Sequence, residues 1–254
     1  MDKAFSLEGR GFLVAGGTRG IGRAISLQFA RAGARVVADH VRDDVSARTL
    51  EEEAAREGLA LTTCRADLTS DKGLAHLLED VDARLDPLSG LVFCAATGVH
   101  KPFGELKPRH FDWTFSLNVR AFFELMEALL PRFRPPASIV VLSSQGARQA
   151  VPCYSLTGAT KGALESLARH LAVELAPRGI RVNILSPGAV RTGAWAALPD
   201  GGRRLAGAEK RTPLGRLTTP EEAARAAQFL CSDAAEGIVG QTLIVDGGLS
   251  LVGE

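Results

Sequence analysis

Short apolar runs recur along this 254-residue chain, and each is followed by a longer segment with a helical period of apolar positions. The seven runs are FLVAGG, RVVADH, LALTTCRAD, GLVFCAA, SIVVLSS, IRVNILSPG and TLIVDGG. Apolar strands that alternate with helices form βαβ units, which are typical of a parallel sheet covered on both faces. The pattern therefore predicts an α/β fold with one doubly wound sheet of seven parallel strands and helices on both faces.

The helical period is clearest in the segment that follows Lys161. Apolar residues with i, i+3, i+4 spacing are Leu164, Leu167, Ala168, Leu171, Ala172 and Leu175. Their stripe is wide, so it could face the sheet alone or also supply a subunit interface.

One stretch, from Leu198 to Pro220, is rich in Gly, Pro and Arg and interrupts this rhythm. We expect a substrate lid around residues 193–219, within a single domain that spans residues 1–254. Its basic residues could meet an acidic carrier protein or the phosphates of coenzyme A, or they could belong to an ordinary solvated loop. These residues are Arg203, Arg204, Lys210 and Arg211.

Composition limits the partners and the location. The chain is 46% hydrophobic and 23% charged, with a formal net charge of +1, so no overall field attracts it to nucleic acid or to a membrane surface. The four cysteines and five histidines are scattered, which predicts reduced core thiols and no metal site. No apolar run reaches the roughly 20 residues that span a bilayer, and no secretory signal pattern is found. A cytoplasmic location is predicted.

A glycine cluster follows the first apolar run, in the sequence AGGTRGIGRAISLQFARAG. Gly16, Gly20 and Gly22 have the spacing G-x-x-x-G-x-G and lead directly into a helical pattern. Glycines here let the chain turn tightly and approach a pyrophosphate, whose charge is favoured by the N–H groups at the helix start. A tight turn without a ligand would have a similar sequence, but the position after the first strand of a βα series favours a Rossmann-type dinucleotide site.

Nearly end to end, the chain resembles the short-chain dehydrogenase/reductase family. The resemblance rests on GGTRGIG, CRADL, SLNVRAFF, SPGAVRT and GQTLIVDGG, whereas FCAA at residues 93–96 replaces the usual Asn-Asn-Ala-Gly. It implies that Asp67 meets the adenine and that Asn118 supports the lysine through water. It also implies that Val190 and Thr192 contact the nicotinamide carboxamide. The other cofactor-binding residues that it implies are Gly16, Thr18, Arg19, Gly20, Ile21, Gly22, His40, Arg42, Leu68, Ala95, Lys161, Pro187 and Gly188.

The end of the second run, VVADHVRDD, bears on which nicotinamide is used. Relatives that use NAD tend to carry an acidic residue where this chain has His40, preceded by Asp39. Arg19 and Arg42 lie where they could pair with a 2′-phosphate, which the planar guanidinium suits. We interpret the site as one for NADPH. The alternative is NADH, with Asp39 at the ribose and both arginines solvated.

Tyr154, the only tyrosine in the chain, precedes Lys161 by seven residues. In most of the family the tyrosine stands four residues before the lysine, which holds the nicotinamide ribose and lowers the pKa of the phenol. Here that position is Thr157, whose hydroxyl is too weakly acidic and too short to replace a phenol. On a helix, positions four and seven before a lysine share roughly one face, but the seventh is about 4.5 Å farther along the axis.

This displacement favours reduction of an enoyl thioester. Hydride then goes to the β-carbon, and negative charge collects on the thioester oxygen, farther from the nicotinamide than the oxygen of a ketone being reduced. Tyr-x6-Lys is the spacing of enoyl-acyl carrier protein reductases within the family, and SSQGARQAVPCYSLTGATKGALESLARHLAVEL is similar to their corresponding segment. Ser143 or Ser144 takes the place of the family's catalytic serine, or else caps the strand end.

These patterns predict an NADPH-dependent enoyl-acyl carrier protein or enoyl-CoA reductase of fatty acid or related acyl biosynthesis. Its predicted catalytic residues are Tyr154, Lys161, Ser144 and Asn118. One alternative is a carbonyl or alcohol oxidoreductase such as a 3-ketoacyl reductase; another is a dinucleotide-binding regulator without catalysis. The resemblance also implies a homotetramer.

Overall fold

The computed structural model describes residues 3–193, 195 and 198–252, and within them it confirms one sheet of seven parallel strands. The strands are β1 Gly11–Ala15, β2 Arg35–His40, β3 Leu61–Arg65, β4 Leu88–Phe93, β5 Phe133–Leu142, β6 Ile180–Pro187 and β7 Thr242–Val245. All seven apolar runs of the sequence lie on these strands.

The strand order is β3-β2-β1-β4-β5-β6-β7, and every neighbouring pair is parallel. The chain runs outward from β1 to β3 and then crosses to the other side of β1 with β4. Ligands bind to open α/β sheets outside the carboxyl ends of the strands at this kind of reversal. The fold therefore places the candidate site after β1 and β4.

Helices cover both faces of the sheet, as predicted. They are α1 Gly20–Arg31, α2 Asp44–Arg56, α3 Asp71–Arg84, α4 Pro108–Phe115, α5 Ala121–Leu129, α6 Ser155–Leu175, α7 Gly201–Arg211 and α8 Pro220–Cys231. Helices α1, α2 and α8 pack on one face, and α3, α5 and α6 on the other. Successive side chains of β1 alternate between the two cores, with Phe12 and Val14 in one and Leu13 and Ala15 in the other.

The apolar stripe of α6 faces the sheet. Leu164, Ala168, Ala172 and Leu175 are buried, and Leu167 and Leu171 pack partly buried against the same core. On the outer side Val173 is 75% exposed. The stripe thus covers the sheet, and a subunit interface on α6 would have to use the outward side of the helix.

The segment at residues 193–219 contains helix α7, although residues 194, 196 and 197 of the expected lid lie outside the described part of the chain. Leu205 and Ala208 of α7 pack with Leu217 and Leu249 in a small cluster of their own. The segment is therefore attached to the domain by a separate, minor core.

All four cysteines are free, but only Cys64 and Cys231 are buried, so the expected core position is correct for these two. Cys94 and Cys153 are partly buried near the site described below. Among the described residues, no cluster of histidine, cysteine and carboxylate side chains could hold a metal ion. None of the helices in the described ranges is long and apolar enough to cross a membrane.

Candidate active site

The turn between β1 and α1 is built on its glycines. Gly16 has φ +71°, and a Cβ there would come within 2.9 Å of the backbone of Ala95, just after β4. A Cβ on Gly22 would collide with the carbonyl oxygen of Gly16. Gly20 has φ +55°, and a Cβ added there would lie 3.5 Å from the methyl group of Thr192. The turn therefore presents bare backbone to the cleft between β1, β4 and the segment after β6, as pyrophosphate binding requires.

Asp39 supports this turn from below. Its carboxylate accepts the N–H of Gly16 and is only 3% exposed. Burial raises the pKa of Asp39 to about 7, and the hydrogen bond from Gly16 opposes that rise. The carboxylate is thus committed to the glycine turn.

His40, at the end of β2, faces Asp44. Its Nε2 lies 3.2 Å from Asp44 Oδ1, and among the described residues its buried Nδ1 has no hydrogen-bond partner. Arg42 follows this strand and Arg19 lies at the start of α1, and both are exposed. Arg42 contributes to lowering the pKa of Asp67, so its positive charge lies near the residue expected at the adenine.

Other residues that we expect to bind the cofactor lie at the carboxyl-terminal edge of the sheet or in the segments that pack against it. The carboxylate of Asp67, exposed after β3, accepts hydrogen bonds from the N–H and hydroxyl of Thr69 at 2.9 and 2.6 Å. Leu68 packs in the core, so only its backbone can reach a ligand. Gly188 follows the buried Pro187 and passes against Asp246, and Val190 is buried in a bridge to Thr218. Thr18 is buried, and Ile21 is partly buried against a core.

Lys161 lies on the buried face of α6 and is 5% exposed. Its Nζ donates to the carbonyl oxygen of Leu142, at the end of β5, at 2.7 Å. Burial lowers the pKa of Lys161 to about 8. An ammonium has three donors, so two beyond the Leu142 bond can serve ribose hydroxyls.

Asn118 lies in a π-helical turn, Ser116–Arg120, that joins α4 to α5. Its amide exchanges two hydrogen bonds of 2.8 Å with the backbone of Thr97 and donates a third, of 2.9 Å, to Thr160 of α6. Single π-helical turns are frequent at functional sites. Here the turn directs an asparagine that fastens the loop after β4 to the helix carrying Lys161.

Tyr154 immediately precedes the first residue of α6, and its hydroxyl lies 3.5 Å from the hydroxyl of Ser144. Burial raises the pKa of the Tyr154 phenol, and the Ser144 contact opposes the rise. Ser143 instead donates to Glu165 at 2.7 Å and is buried. The two serines left open by the sequence are thus distinguished by geometry, since only Ser144 lies beside the phenol.

Thr157, four residues before Lys161, is 5% exposed and points toward Gly98. Its buried hydroxyl has no hydrogen-bond partner within the described ranges. The position that holds a phenol in most of the family is therefore occupied by a short buried side chain against the loop after β4.

Two neighbours of the site were not anticipated from the sequence. The imidazole of His100 stacks on the Tyr154 ring, with centroids 5.5 Å apart and planes 5° apart. Burial raises the pKa of the Cys94 thiol to about 12, while the charge of Lys161 opposes the rise. A lone histidine and a cysteine in an apolar run carry no pattern that would have singled them out.

Comparison with known proteins places the chain in a family. A family model described as enoyl-(acyl carrier protein) reductase matches residues 15–250. The 1-cyclohexenylcarbonyl-CoA reductase of Streptomyces collinus is 36% identical over 94% of this chain and 86% of its own length.

Two solved structures share the fold almost throughout. A 7α-hydroxysteroid dehydrogenase complexed with NADH and 7-oxo glycochenodeoxycholic acid superposes with a TM-score of 0.90 at 31% identity, over 98% of this chain and 97% of its own. A gluconate 5-dehydrogenase from Burkholderia cenocepacia in complex with NADP and tartrate superposes with a TM-score of 0.89 at 29% identity, over 99% of each chain. The family-model match, the relative and the shared fold show that the chain belongs to the short-chain dehydrogenase/reductase family of nicotinamide-dependent oxidoreductases.

Proposed function

We propose that this protein is an NADPH-dependent enoyl-thioester reductase, which sends hydride to the β-carbon of an α,β-unsaturated acyl thioester. One observation carries the proposal: the only phenol of the chain stands at the start of α6 beside Ser144, while the position one turn before Lys161 holds Thr157. The proton donor of the site is therefore farther from Lys161 than in most of the family. This position suits the oxygen of a thioester, which is remote from the β-carbon that receives hydride.

The cleft fits a nicotinamide dinucleotide. The bare glycine turn can approach a pyrophosphate, and Lys161 keeps two donors for ribose hydroxyls. When bound, the reduced nicotinamide supplies the hydride.

Tyr154 then acts on the substrate oxygen. As hydride reaches the β-carbon, charge moves to the thioester oxygen, and the phenol donates a hydrogen bond to it. Because burial raises the pKa of Tyr154, the phenol keeps its proton at neutral pH and remains a donor. Ser144 orients the hydroxyl, Asn118 holds the loop after β4 against α6, and a solvent proton completes the α-carbon.

A second candidate is reduction of a carbonyl or oxidation of an alcohol, which the structural neighbours favour. The 7α-hydroxysteroid dehydrogenase was solved with a 7-oxo bile acid and the Burkholderia neighbour is a gluconate 5-dehydrogenase. In this candidate Tyr154 would have to reach the oxygen of the very carbon that receives hydride.

Isotope transfer separates the two candidates. NADPH carrying deuterium at the transferable C4 position is incubated with a crotonyl thioester, and the product is examined by mass spectrometry and NMR. We expect one deuterium at C3 of a butyryl thioester and a solvent hydrogen at C2. Label on an alcohol carbon of an acetoacetyl substrate, with no butyryl product from crotonyl, would support carbonyl chemistry instead.

The cofactor preference is a further part of the proposal. Asp39 is buried and bound to Gly16, so it is poorly placed to read a ribose, whereas Arg19 and Arg42 are exposed at the same strand end. Replacing either arginine with alanine should weaken NADPH binding by about 1.5–3 kcal/mol, the range for hydrogen bonds to charged groups. Binding of NADH should change little, as measured by titration of nicotinamide fluorescence.

Asp39→Asn is the matched control, because an amide oxygen can still accept the Gly16 N–H. We expect this variant to bind both cofactors nearly as before. Equal losses for NADH and NADPH in the arginine variants, or a selective loss of NADH in Asp39→Asn, would show that Asp39 sets the preference.

We also propose a homotetramer. Apolar side chains on the outer surfaces of α4, α5 and α6 are about half-exposed or more, namely Phe111, Trp113, Phe123 and Val173. Closed symmetric contacts would bury such side chains. Light scattering at micromolar concentration should give four times the mass of one chain, and a monomeric mass would contradict the proposal.

The acyl carrier is proposed to be coenzyme A or acyl carrier protein, with α7 and its flanks as the lid. The Streptomyces relative is named for a CoA thioester, which supports the first of these carriers. Of the basic residues of this segment, Arg203 is paired with Asp200, while Arg204 donates to the carbonyl of Pro152 at 2.9 Å. Arg204 thus joins the expected lid to the loop that precedes Tyr154.

A further inference from the structure

The Tyr154 ring is held on the loop side by an aromatic neighbour. His100 lies on the loop after β4, and its imidazole stacks nearly parallel on the phenol, with a centroid distance of 5.5 Å. A Cβ at Gly146 would come within 2.5 Å of Cε1 of the same ring, so the backbone there also contacts it closely. The phenol is therefore confined by an imidazole and by a glycine backbone.

The backbone that carries Tyr154 is strained. Cys153 has φ +61°, and among the described residues it shares a positive φ with only one other non-glycine, Asp200. Such conformations persist where surrounding contacts fix them, often at functional sites. Here Arg204 of α7 donates to the carbonyl of Pro152, and the backbone of Cys153 lies close enough to His100 to raise the pKa of its imidazole.

A contribution to the stability of the fold does not by itself explain a buried imidazole at position 100. Its Nδ1 is buried without a hydrogen-bond partner in the described structure, and an unsatisfied buried polar atom destabilises a fold. Burial and the nearby charge of Arg204 lower the pKa of His100, so the ring is neutral when it packs on the phenol. A neutral aromatic ring stacks on tyrosine without the desolvation cost of a cation.

We propose that His100 is a positioning residue whose stacked ring fixes the Tyr154 phenol in the orientation that presents its hydroxyl to the substrate oxygen. This inference rests on the proposed role of Tyr154 as the donor to that oxygen. It assigns to the loop after β4 a part in setting the position of the donor, in addition to its contact with the glycine turn.

A matched pair of variants tests the stack. His100→Phe keeps an aromatic ring, while His100→Leu has a similar volume and no ring. We expect His100→Phe to retain kcat within a few-fold, and His100→Leu to lose about 10- to 100-fold in kcat, since small misplacements of a reacting group have effects of that size. The Kd for NADPH should be unchanged in both, and His76→Ala, on the exposed side of α3, is the control for loss of a histidine.

A double-mutant cycle then shows whether His100 acts through Tyr154. In a Tyr154→Phe background, His100→Leu should lower the residual rate no further, because the hydroxyl to be positioned is already absent. The inference is overturned by equal losses in the two backgrounds, by unchanged kcat in His100→Leu, or by equal kcat in the Phe and Leu variants. Full turnover by Tyr154→Phe alone would instead contradict the proposed function.

Discussion

Tyr154→Phe should lower kcat and kcat/KM for a crotonyl thioester together, by about 10²- to 10³-fold, the loss typical of removing one donor to a developing oxyanion. The hydroxyl lies beside Ser144 in a partly buried position, where a hydrogen bond to a forming enolate is stronger than in water. Steady-state kinetics measures the loss. The Kd for NADPH, measured separately by fluorescence, should stay the same.

Thr157→Val is the matched control for this variant. It removes the buried hydroxyl at the position four residues before Lys161 and keeps the shape of the side chain. Because that hydroxyl has no partner in the described structure, we expect kcat within a few-fold of the unmodified enzyme and a melting temperature that is equal or higher. A larger loss of kcat in Thr157→Val than in Tyr154→Phe would place the donor at position 157.

Lys161→Ala should lose cofactor affinity as well as rate, in contrast to Tyr154→Phe. Hydrogen bonds from a charged donor contribute about 1.5–3 kcal/mol, which corresponds to a roughly 10- to 100-fold higher Kd for NADPH. Removal of the ammonium also leaves the carbonyl of Leu142 without its 2.7 Å donor. Calorimetric or fluorescence titration measures the Kd.

The same lysine gives a pH dependence whose sign is fixed. Burial lowers the pKa of Lys161 to about 8 in the free enzyme, so the cationic form is lost as the pH rises through that value. Since only the cation holds the ribose as a charged donor, the Kd for NADPH should rise above about pH 8. In Lys161→Ala this rise should be absent. An identical pH profile in both enzymes would show that Lys161 does not hold the cofactor.

The fold could be predicted from the sequence because its signals are periodic and local. The apolar runs mark strands that are buried at the centre of the sheet and only partly buried at its two edges, β3 and β7, and all seven strands lie where the runs predict them. The glycine spacing likewise reflects a local steric demand, since a Cβ on Gly22 would meet the Gly16 carbonyl.

Other features depend on contacts between distant segments, and the sequence could not resolve them. Ser143 and Ser144 are adjacent, yet one is bound to Glu165 and the other faces Tyr154, because successive residues at the strand end point in different directions. The burial of Asp39 and its hydrogen bond from Gly16 likewise depend on the packing of β2 against the glycine turn. No local pattern predicts that His100 packs on Tyr154.

The contrast between two substrates tests the central claim most directly. The unmodified enzyme is assayed with crotonyl and acetoacetyl thioesters of the same carrier, under identical NADPH concentrations, and kcat/KM is compared. If the Tyr-x6-Lys spacing displaces the proton donor as proposed, the enzyme should have a higher kcat/KM for reduction of the crotonyl double bond than for reduction of the acetoacetyl ketone. Reduction of acetoacetyl with no turnover of crotonyl would contradict the account and favour a carbonyl reductase, and saturable NADPH binding without turnover of either would contradict catalysis altogether.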